Sequence, residues 1–326
     1  MISPGMGKYV LRRLIIAVPT ILLISVVVYA ILALAPGDPL SQFALNPAIP
    51  PEVRANIRHS LGLDDPWYIR YVKWLVAAFQ GDLGYSYNSK VPVTELLLLK
   101  LPNTLAVLGV AYVLSVLLAI PIGVISAVKR YTFFDHVATT FAFIGFSVPT
   151  FFTGIILILI FSVKFHMLPF IYQSTLKVSF TDPASWVEQF RQSIMPITVL
   201  TLFQTATLVR FVRSEMLENL PLDYVRTARA KGLMERLVVL RHVLRNSLIP
   251  VVTLVALGVP TVFGGALITE QIFRIPGIGL LLVDAIGQSD TPVVMGATMM
   301  FAALVVLFNI VADVLYGVLD PRIRYD

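Results

Sequence analysis

Six stretches of this chain contain no Asp, Glu, Lys or Arg and are long enough to cross a lipid bilayer as α-helices. The hydrocarbon core is about 30 Å thick, so a spanning helix needs roughly 17–25 apolar residues. The stretches are 14–35, 101–128, 137–163, 192–209, 246–269 and 291–312. We therefore predict an all-α polytopic membrane protein with six transmembrane helices. A composition of 57% hydrophobic and 13% charged residues excludes an ordinary water-soluble fold.

The positions of Lys and Arg predict that both chain termini lie in the cytoplasm. With that orientation, the inner segments are 1–13, 129–136, 210–245 and 313–326. These segments hold fifteen basic and eight acidic residues, a net charge of +7, whereas the outer connections hold ten and eleven, a net charge of −1. Cytoplasmic loops of membrane proteins are enriched in Lys and Arg. The formal charge of +6 is therefore interpreted as an inner-face excess.

The first apolar stretch is interpreted as a retained membrane anchor. Basic residues precede it, as in a secretory signal peptide, but its 22 residues exceed the roughly 7–15 of a signal-peptide core. The predicted N-terminal region, 1–100, comprises this span at 14–35 and an outer loop with short helices at 36–100. A five-span core, 101–326, with an inner loop at 213–245, follows it.

The outer loop contains aromatic residues interleaved with basic ones: Trp67, Tyr68, Arg70, Tyr71, Lys73 and Trp74. Such a pattern can stack on nucleic-acid bases. On an outer membrane loop, however, anchoring at the membrane interface is the simpler interpretation. We predict a lipid bilayer and not a nucleic acid as the partner of this segment.

The sequence lacks the residues of a catalytic or nucleotide-binding site. It has no G-x-x-x-x-G-K-[ST] loop, so it is not expected to bind ATP by that loop. It has no cysteine, and its four histidines are far apart in sequence. We predict no catalytic residue, no metal site and no cofactor bound by this chain. A membrane-embedded enzyme remains an alternative, although no nucleophile and base form a recognisable pair.

A second alternative is a stand-alone secondary transporter driven by an ion gradient. Such a protein requires an ionisable group inside the membrane, and Asp313 is the candidate. Asn309 precedes it by one helical turn on the same face. Since Asp313 lies near the inner end of the sixth span, an interaction with a basic neighbour or with the interface also explains it.

The longest inner loop, 213–245, which we call the arm, has the features expected of a segment that transmits force to the spans. It holds seven basic and four acidic residues. Asp223 is predicted as the N-cap of a helix over 224–231, and Gly232 as its stop. A helix this short, about 12 Å at 1.5 Å per residue, needs contacts with the rest of the protein to be stable. A short helix tied to a span at each end would let another protein push on the membrane helices. The alternative is a basic loop that rests on anionic lipid.

The sequence of this arm resembles the cytoplasmic coupling loop of ABC importer permeases of the dipeptide/oligopeptide/nickel subfamily. The resembling motifs are DYVRTARAKG at 223–232 and LRHVLRN at 240–246. Similar motifs follow one another along nearly the whole chain: PGDP at 36–39, GDLG at 81–84, EQIF at 270–273, PGIG at 276–279 and DPRIR at 320–324. Arg226, Thr227 and Ala228 stand where the motif of the broader group of importers has Glu-Ala-Ala, a departure that resembles the peptide subfamily.

The resemblance implies the architecture of a type I ABC importer permease in the inner membrane of a prokaryote. It implies a second homologous permease subunit, two ATP-binding subunits that carry ATP and Mg, and an extracytoplasmic substrate-binding protein. The implied docking site for an ATP-binding subunit consists of Asp223, Tyr224, Arg226, Thr227, Ala228, Arg229, Ala230, Lys231, Gly232 and Leu233. The implied substrates are dipeptides, oligopeptides or related small solutes such as nickel chelates, and the sequence leaves this choice open.

Residues of the polar fourth span are candidates for lining the substrate pathway: Thr198, Thr201, Gln204 and Thr205. Hydroxyl and amide side chains in a span face protein or a water-filled path more often than lipid. The alternative is that they form hydrogen bonds between helices.

Overall fold

A computed structural model describes residues 4–34, 50–60, 62–173 and 182–319. Within them every regular element is a helix, and one isolated bridge joins Tyr85 and Pro92. The α-helices are α1 (Pro4–Leu34), α2 (Pro51–Ser60), α3 (Trp67–Phe79), α4 (Val93–Val128), α5 (Phe133–Ser147), α6 (Thr150–Leu157), α7 (Pro183–Asn219), α8 (Asp223–Ala230), α9 (Glu235–Leu237), α10 (Leu244–Phe273), α11 (Ile278–Gly287) and α12 (Thr291–Leu319). Two π-helical segments, π1 (Ile158–Lys164) and π2 (Val238–Val243), continue α6 and connect α9 to α10.

In the part of the chain that the structure describes, five helical stretches are long and apolar enough to cross a membrane: Leu11–Leu34, Val93–Val128, Pro183–Asn219, Glu235–Val259 and Thr291–Val314. Two bent helix pairs, Phe133–Ser147 with Thr150–Lys164 and Ala266–Phe273 with Ile278–Gly287, raise the number to as many as seven. The predicted all-α membrane fold is confirmed. The predicted number of spans, six, lies between these two counts of five and seven.

The prediction of one continuous helix over 137–163 is wrong. α5 ends at Ser147, and the following helix leaves at an angle of 102°. Val148 has an extended backbone, with φ −86° and ψ 124°. Pro149 explains the break, because its ring disfavours a helical conformation of the preceding residue and it has no N–H to donate.

α7 is longer and more buried than the span predicted from its charge-free part. It extends beyond 192–209 on both sides, and 44% of its most apolar window is buried, against 11% for Leu11–Leu34. This burial agrees with the expectation that the polar fourth span faces protein. The last ten residues of α7 would project about 15 Å past the charge-free stretch at 1.5 Å per residue.

The chain folds into two packing units. The first comprises Met1–Leu11, Asn103–Ile275 and Leu307–Asp326, and the second comprises Arg12–Pro102 and Pro276–Val306. Each has its own apolar clusters. These two units are defined by contacts between residues. The predicted division at residue 100 follows the order of the spans along the chain instead, and it stays a prediction.

Close helix contacts in the first unit depend on glycine. A Cβ on Gly123 of α4 would lie 2.7 Å from Cβ of Val212 in α7. On Gly258 of α10 it would lie 2.7 Å from the hydroxyl oxygen of Tyr112. Tyr112 also donates a hydrogen bond to the backbone carbonyl of Val255. α4 is thereby tied to both α7 and α10.

Candidate functional site

The inner arm contains the predicted short helix, shifted by one residue. α8 spans Asp223–Ala230, and Leu222 is its N-cap. The prediction that Asp223 is the N-cap is therefore wrong. The backbone carbonyl of Leu222 already accepts hydrogen bonds from the N–H groups of Val225, at 3.0 Å, and Arg226, at 3.2 Å, so the helix starts at Asp223. The Asp223 carboxylate still lies in the first turn, where a negative charge interacts favourably with the helix dipole.

The predicted stop at Gly232 is confirmed. Gly232 has φ +74°, in the left-handed region that favours glycine. The N–H of Gly232 donates to the carbonyl of Arg229 at 2.9 Å, and the N–H of Leu233 donates to that of Ala228 at 3.4 Å. These two bonds form a Schellman motif. The arm thus turns back toward the spans within two residues of the helix end.

One face of α8 is buried in a cluster in which valine is the commonest residue, the valine cluster. Val225 is fully buried and Ala228 is 6% exposed. They pack with Val124, Ala127, Val212, Met216, Val238, Val239, Val243 and Val251. The neighbours belong to four elements, α4, α7, π2 and α10. A displacement of α8 therefore acts on three long helices through close-packed side chains.

The position of α8 is also fixed by polar contacts at its start. The Tyr224 hydroxyl donates to Oδ1 of Asn219 at 2.9 Å, and the Thr227 hydroxyl donates to the carbonyl of Asp223 at 2.9 Å. The first bond connects α8 back to the end of α7. The short turn 220–222 therefore joins two helices that are held at a defined angle.

The opposite face of α8 is polar and accessible. Its exposed residues are Asp223, Arg226, Thr227, Arg229 and Ala230, and the exposed Lys231 follows them. Nε and Nη2 of Arg229 lie 3.0 and 2.7 Å from the two carboxylate oxygens of Glu235. The hydrogen bond to this carboxylate raises the pKa of Arg229 above its usual value, so the guanidinium stays charged. The accessible face therefore carries charges of both signs and one hydroxyl group.

An ion pair between the first residue of the arm, Arg213, and the buried Asp135 was not predicted from the sequence. Arg213 of α7 donates from Nε to Oδ1 of Asp135 at 2.7 Å and from Nη2 to Oδ2 at 2.9 Å. Ser126 of α4 donates to the same carboxylate, as do the backbone N–H of Tyr131 and the hydroxyl of Thr139. The Asp135 side chain is 3% exposed. The available signal in the sequence was that Asp135 is the one acidic residue of the short basic segment 129–136.

The candidate pathway residues of α7 do not behave alike. Thr198 donates to its own helix, at the carbonyl of Ile194, and Thr201 donates across to the carbonyl of Ala111 in α4 at 3.3 Å. The second bond is of the helix-to-helix kind that the alternative interpretation predicts. The hydroxyl of Thr205 is buried and has no hydrogen-bond partner in the part of the chain that the structure describes. Gln204 is half-buried. No contact of these four residues tests the pathway assignment.

Asp313, the residue required by the alternative of a secondary transporter, is half-buried in α12 and interacts with other groups. Across the described ranges, no three His, Asp or Glu side chains come together as a metal site.

Two family models together match almost the whole chain. The family described as "Binding-protein-dependent transport system inner membrane component" matches residues 119–325. The N-terminal model of the same kind of transport system matches residues 6–108. The chain belongs to this family of ABC importer permeases.

Curated relatives of this permease match it end to end. It is 41% identical over 321 residues to the oligopeptide transport system permease protein AppB of Bacillus subtilis, covering 98% of this chain and 100% of the relative. It is 38% identical over 337 residues to the dipeptide transport system permease protein DppB of Escherichia coli, covering 98% and 99%. The di/tripeptide permease DppB of Pseudomonas aeruginosa is 39% identical over 334 residues, with 98% and 99% covered.

A solved structure supports the fold of the permease. An inward-facing structure of the MetNI methionine ABC transporter superposes with a TM-score of 0.55 at 18% identity, covering 69% of this chain and 96% of that one. The predicted importer-permease architecture is confirmed, and no comparison favours a secondary transporter.

Proposed function

We propose that this permease is the membrane-spanning subunit of an ATP-driven, binding-protein-dependent importer of di- or oligopeptides. Its relatives are named as oligopeptide, dipeptide and di/tripeptide permeases, which supports a peptide as the substrate. A second homologous permease subunit, two ATP-binding subunits that hold ATP and Mg, and an extracytoplasmic binding protein complete the complex in a bacterial inner membrane. This chain contributes no ATPase site of its own.

In this proposal α8 is the coupling helix. Its outward face, together with Lys231, Gly232 and Leu233, docks in a cleft of an ATP-binding subunit. The observation that carries the proposal is the burial of Val225 and Ala228 in a cluster shared by α4, α7, π2 and α10. When ATP binding draws the two ATP-binding subunits together, the load on α8 passes through this cluster to the helices. The spans then alternate between inward-open and outward-open arrangements.

Deletion of residues 224–231 tests the coupling role. The expected result is loss of substrate-stimulated ATP hydrolysis in the reconstituted complex, with the shortened chain still inserted in the membrane. Transport by the deletion variant would contradict the proposal.

A milder pair of variants separates docking from folding. Arg226→Glu reverses a charge on the exposed face of α8, away from the valine cluster, and is expected to reduce coupled ATP hydrolysis. Ser214→Glu changes an exposed residue of α7 and serves as the control. Equal losses in the two variants would argue against a docking role for that face.

We also propose that Thr198, Thr201, Gln204 and Thr205 line the substrate pathway. The buried, unpartnered hydroxyl of Thr205 among the described residues supports this. Thr205→Val should lower the transport rate while leaving basal ATP hydrolysis of the complex unchanged. The substrate itself is identified by calorimetric titration of the cognate binding protein with dipeptides and longer peptides. Binding of nickel chelates in place of peptides would redirect the substrate assignment.

A further inference from the structure

The second packing unit contains a cavity of about 150 Å³ between α3, the end of α1 and the start of α12. Its lining combines aromatic and charged side chains: Tyr29, Asp65, Arg70, Lys73, Trp74 and Tyr87. One water molecule needs only about 10–15 Å³ on this measure, so the cavity has room for a larger group.

Two hydrogen-bond donors in this lining are buried without an acceptor. Nε of Arg70 and Nε1 of Trp74 have no hydrogen-bond partner in the part of the chain that the structure describes. An unsatisfied buried donor is costly, and more so on a charged group. Both donors lie on α3, four residues apart, and therefore on the same side of that helix. Both N–H groups therefore need a hydrogen-bond acceptor inside the cavity.

The charge balance of the cavity favours an anionic acceptor over water. Asp65 is paired with Lys73, with Nζ 2.6 Å from Oδ2. Arg70 forms no ion pair within the described ranges, which leaves one net positive charge in the lining. Burial raises the pKa of Tyr87 to about 12, so its hydroxyl also stays protonated and able to donate. Water would satisfy the donors but would not neutralise the guanidinium.

α3 lies beside the apolar part of α1. The hydroxyls of Tyr71 and Ser25 are 2.8 Å apart, and Tyr29 packs edge-on against Tyr71 at 5.4 Å between ring centroids. Ser25 lies inside the apolar stretch Leu11–Leu34, nine residues before its end. At 1.5 Å per residue this is about 14 Å below the end of the helix. α3 therefore reaches the depth of the lipid headgroups and upper acyl chains.

The exposed face of α3 is apolar. Tyr68, Val72, Val76 and Phe79 follow one another at helical spacing and are 56%, 55%, 53% and 73% exposed. The opposite face, which includes Tyr71, is buried against α1 and Met295. An apolar stripe on a helix at this depth matches lipid acyl chains.

We propose that this cavity binds the phosphate group of an outer-leaflet phospholipid. The stripe of Tyr68, Val72, Val76 and Phe79, on the other side of α3, places the helix at the depth of the lipid. Arg70 neutralises the phosphate, and the Trp74 indole and Tyr87 hydroxyl donate to its oxygens. Phosphate is the anionic group that a bilayer presents at the level of α3, and basic pockets beside spanning helices are suited to lipid headgroups. The site is separate from the proposed coupling helix, so either assignment can fail without the other.

Native mass spectrometry of the full-length chain, released from detergent, tests this site. The chain is titrated with dioleoyl phosphatidylglycerol, with a galactosyl diacylglycerol carrying the same acyl chains, and with inorganic phosphate. One tightly held phosphatidylglycerol per chain is expected, with weaker binding of the phosphate-free lipid. Equal affinity for the galactolipid would overturn the phosphate assignment. Binding of inorganic phosphate with an affinity like that of the phospholipid would identify a soluble anion as the ligand instead.

Three variants locate the bound lipid. Arg70→Gln should raise the dissociation constant for phosphatidylglycerol about tenfold, and Trp74→Phe, which keeps the ring but removes the donor, a few-fold. Arg58→Gln is the control. This substitution removes the same charge from α2, and Arg58 does not line the cavity. If all three variants bound as the unmodified chain does, the site would be refuted. Trp74→Phe keeps the test valid should Arg70→Gln fail to fold.

Discussion

α3 and α8 are both short helices outside the long spans, yet they present opposite surfaces. α8 buries Val225 and Ala228 and exposes charged and hydroxyl side chains. α3 buries the aromatic side chain of Tyr71 and exposes a stripe of apolar residues that ends at Phe79. The side that each helix leaves uncovered indicates its surroundings: a polar face suits water or a protein partner, and an apolar face suits lipid.

The two helices also differ in how they are held. An isolated helix of 8 or 13 residues is marginal in water, so each depends on contacts with its own packing unit. α8 rests on the valine cluster beside the ion pair of Asp135 and Arg213. α3 rests on the aromatic cluster of Tyr29, Tyr71 and Trp74 and on a hydroxyl contact to Ser25. The following substitutions test this difference.

Removal of the polar contact beside each helix should have unequal effects. Arg213→Ala leaves the Asp135 carboxylate buried without its partner and is expected to destabilise the protein by about 3 kcal/mol. Tyr71→Phe removes one neutral hydrogen bond, which is worth about 1 kcal/mol. Thermal unfolding in detergent measures both. Similar losses for the two variants would show that the arm is not held more strongly than α3.

Matched valine substitutions compare the two faces. Val225→Ala removes two buried methyl groups from the α8 cluster and should cost about 2 kcal/mol. Val76→Ala makes the same chemical change on the exposed stripe of α3 and should leave the unfolding free energy nearly unchanged. The same unfolding measurement decides, and a larger loss for Val76→Ala would reverse the assignment of buried and exposed faces.

The sharp end of α8 depends on the backbone of Gly232. Gly232→Ala places a Cβ at φ +74° with no atom within 4 Å, so the cost is purely conformational, about 1 kcal/mol. Gly109→Ala is the control, since Gly109 lies within α4 and also has open space around it. Alanine there should stabilise the helix slightly. If Gly232→Ala were also stabilising, the left-handed turn would not be required.

The smallest effect on stability is expected for the exposed ion pair between α8 and α9. Arg229 and Glu235 have side chains that are 42% and 55% exposed, so Glu235→Gln should change the unfolding free energy by less than about 0.5 kcal/mol. Coupled ATP hydrolysis should fall more clearly, because the variant alters the charge of the proposed docking surface. Unchanged hydrolysis together with unchanged stability would remove this ion pair from the docking surface.

Much of the architecture follows directly from the sequence, because a bilayer admits few solutions for the backbone. The long apolar helices, the polar and protein-facing α7 and the short helix ending before Gly232 were all predictable from charge placement and glycine. The break at Pro149 was not predicted, although a proline lies there. The absence of charge over 137–163 does not show whether the helix axis changes direction within the stretch. The start of α8 at Asp223 instead of Tyr224 depended on the backbone carbonyl of Leu222, which no side-chain pattern reports.

The candidate site was predictable only in part. The residues of α8 stand together in sequence, so their motif identifies them. The valine cluster beneath them is assembled from four separate elements, and the Asp135–Arg213 pair joins residues 78 positions apart. The unpartnered donors of Arg70 and Trp74 become visible only when α3 is packed against α1.

The most direct test of α8 as the coupling helix uses the absence of cysteine from this chain. Thr227→Cys on α8 and Val76→Cys on α3 each introduce a single thiol at an exposed position, which is labelled with a photoactivatable maleimide in the assembled complex. If α8 is the coupling helix, irradiation joins the Thr227→Cys chain to an ATP-binding subunit, whereas the Val76→Cys chain forms no such product. A Thr227→Cys chain that gives no adduct with an ATP-binding subunit in an ATPase-active complex would contradict the assignment of α8 as the coupling helix.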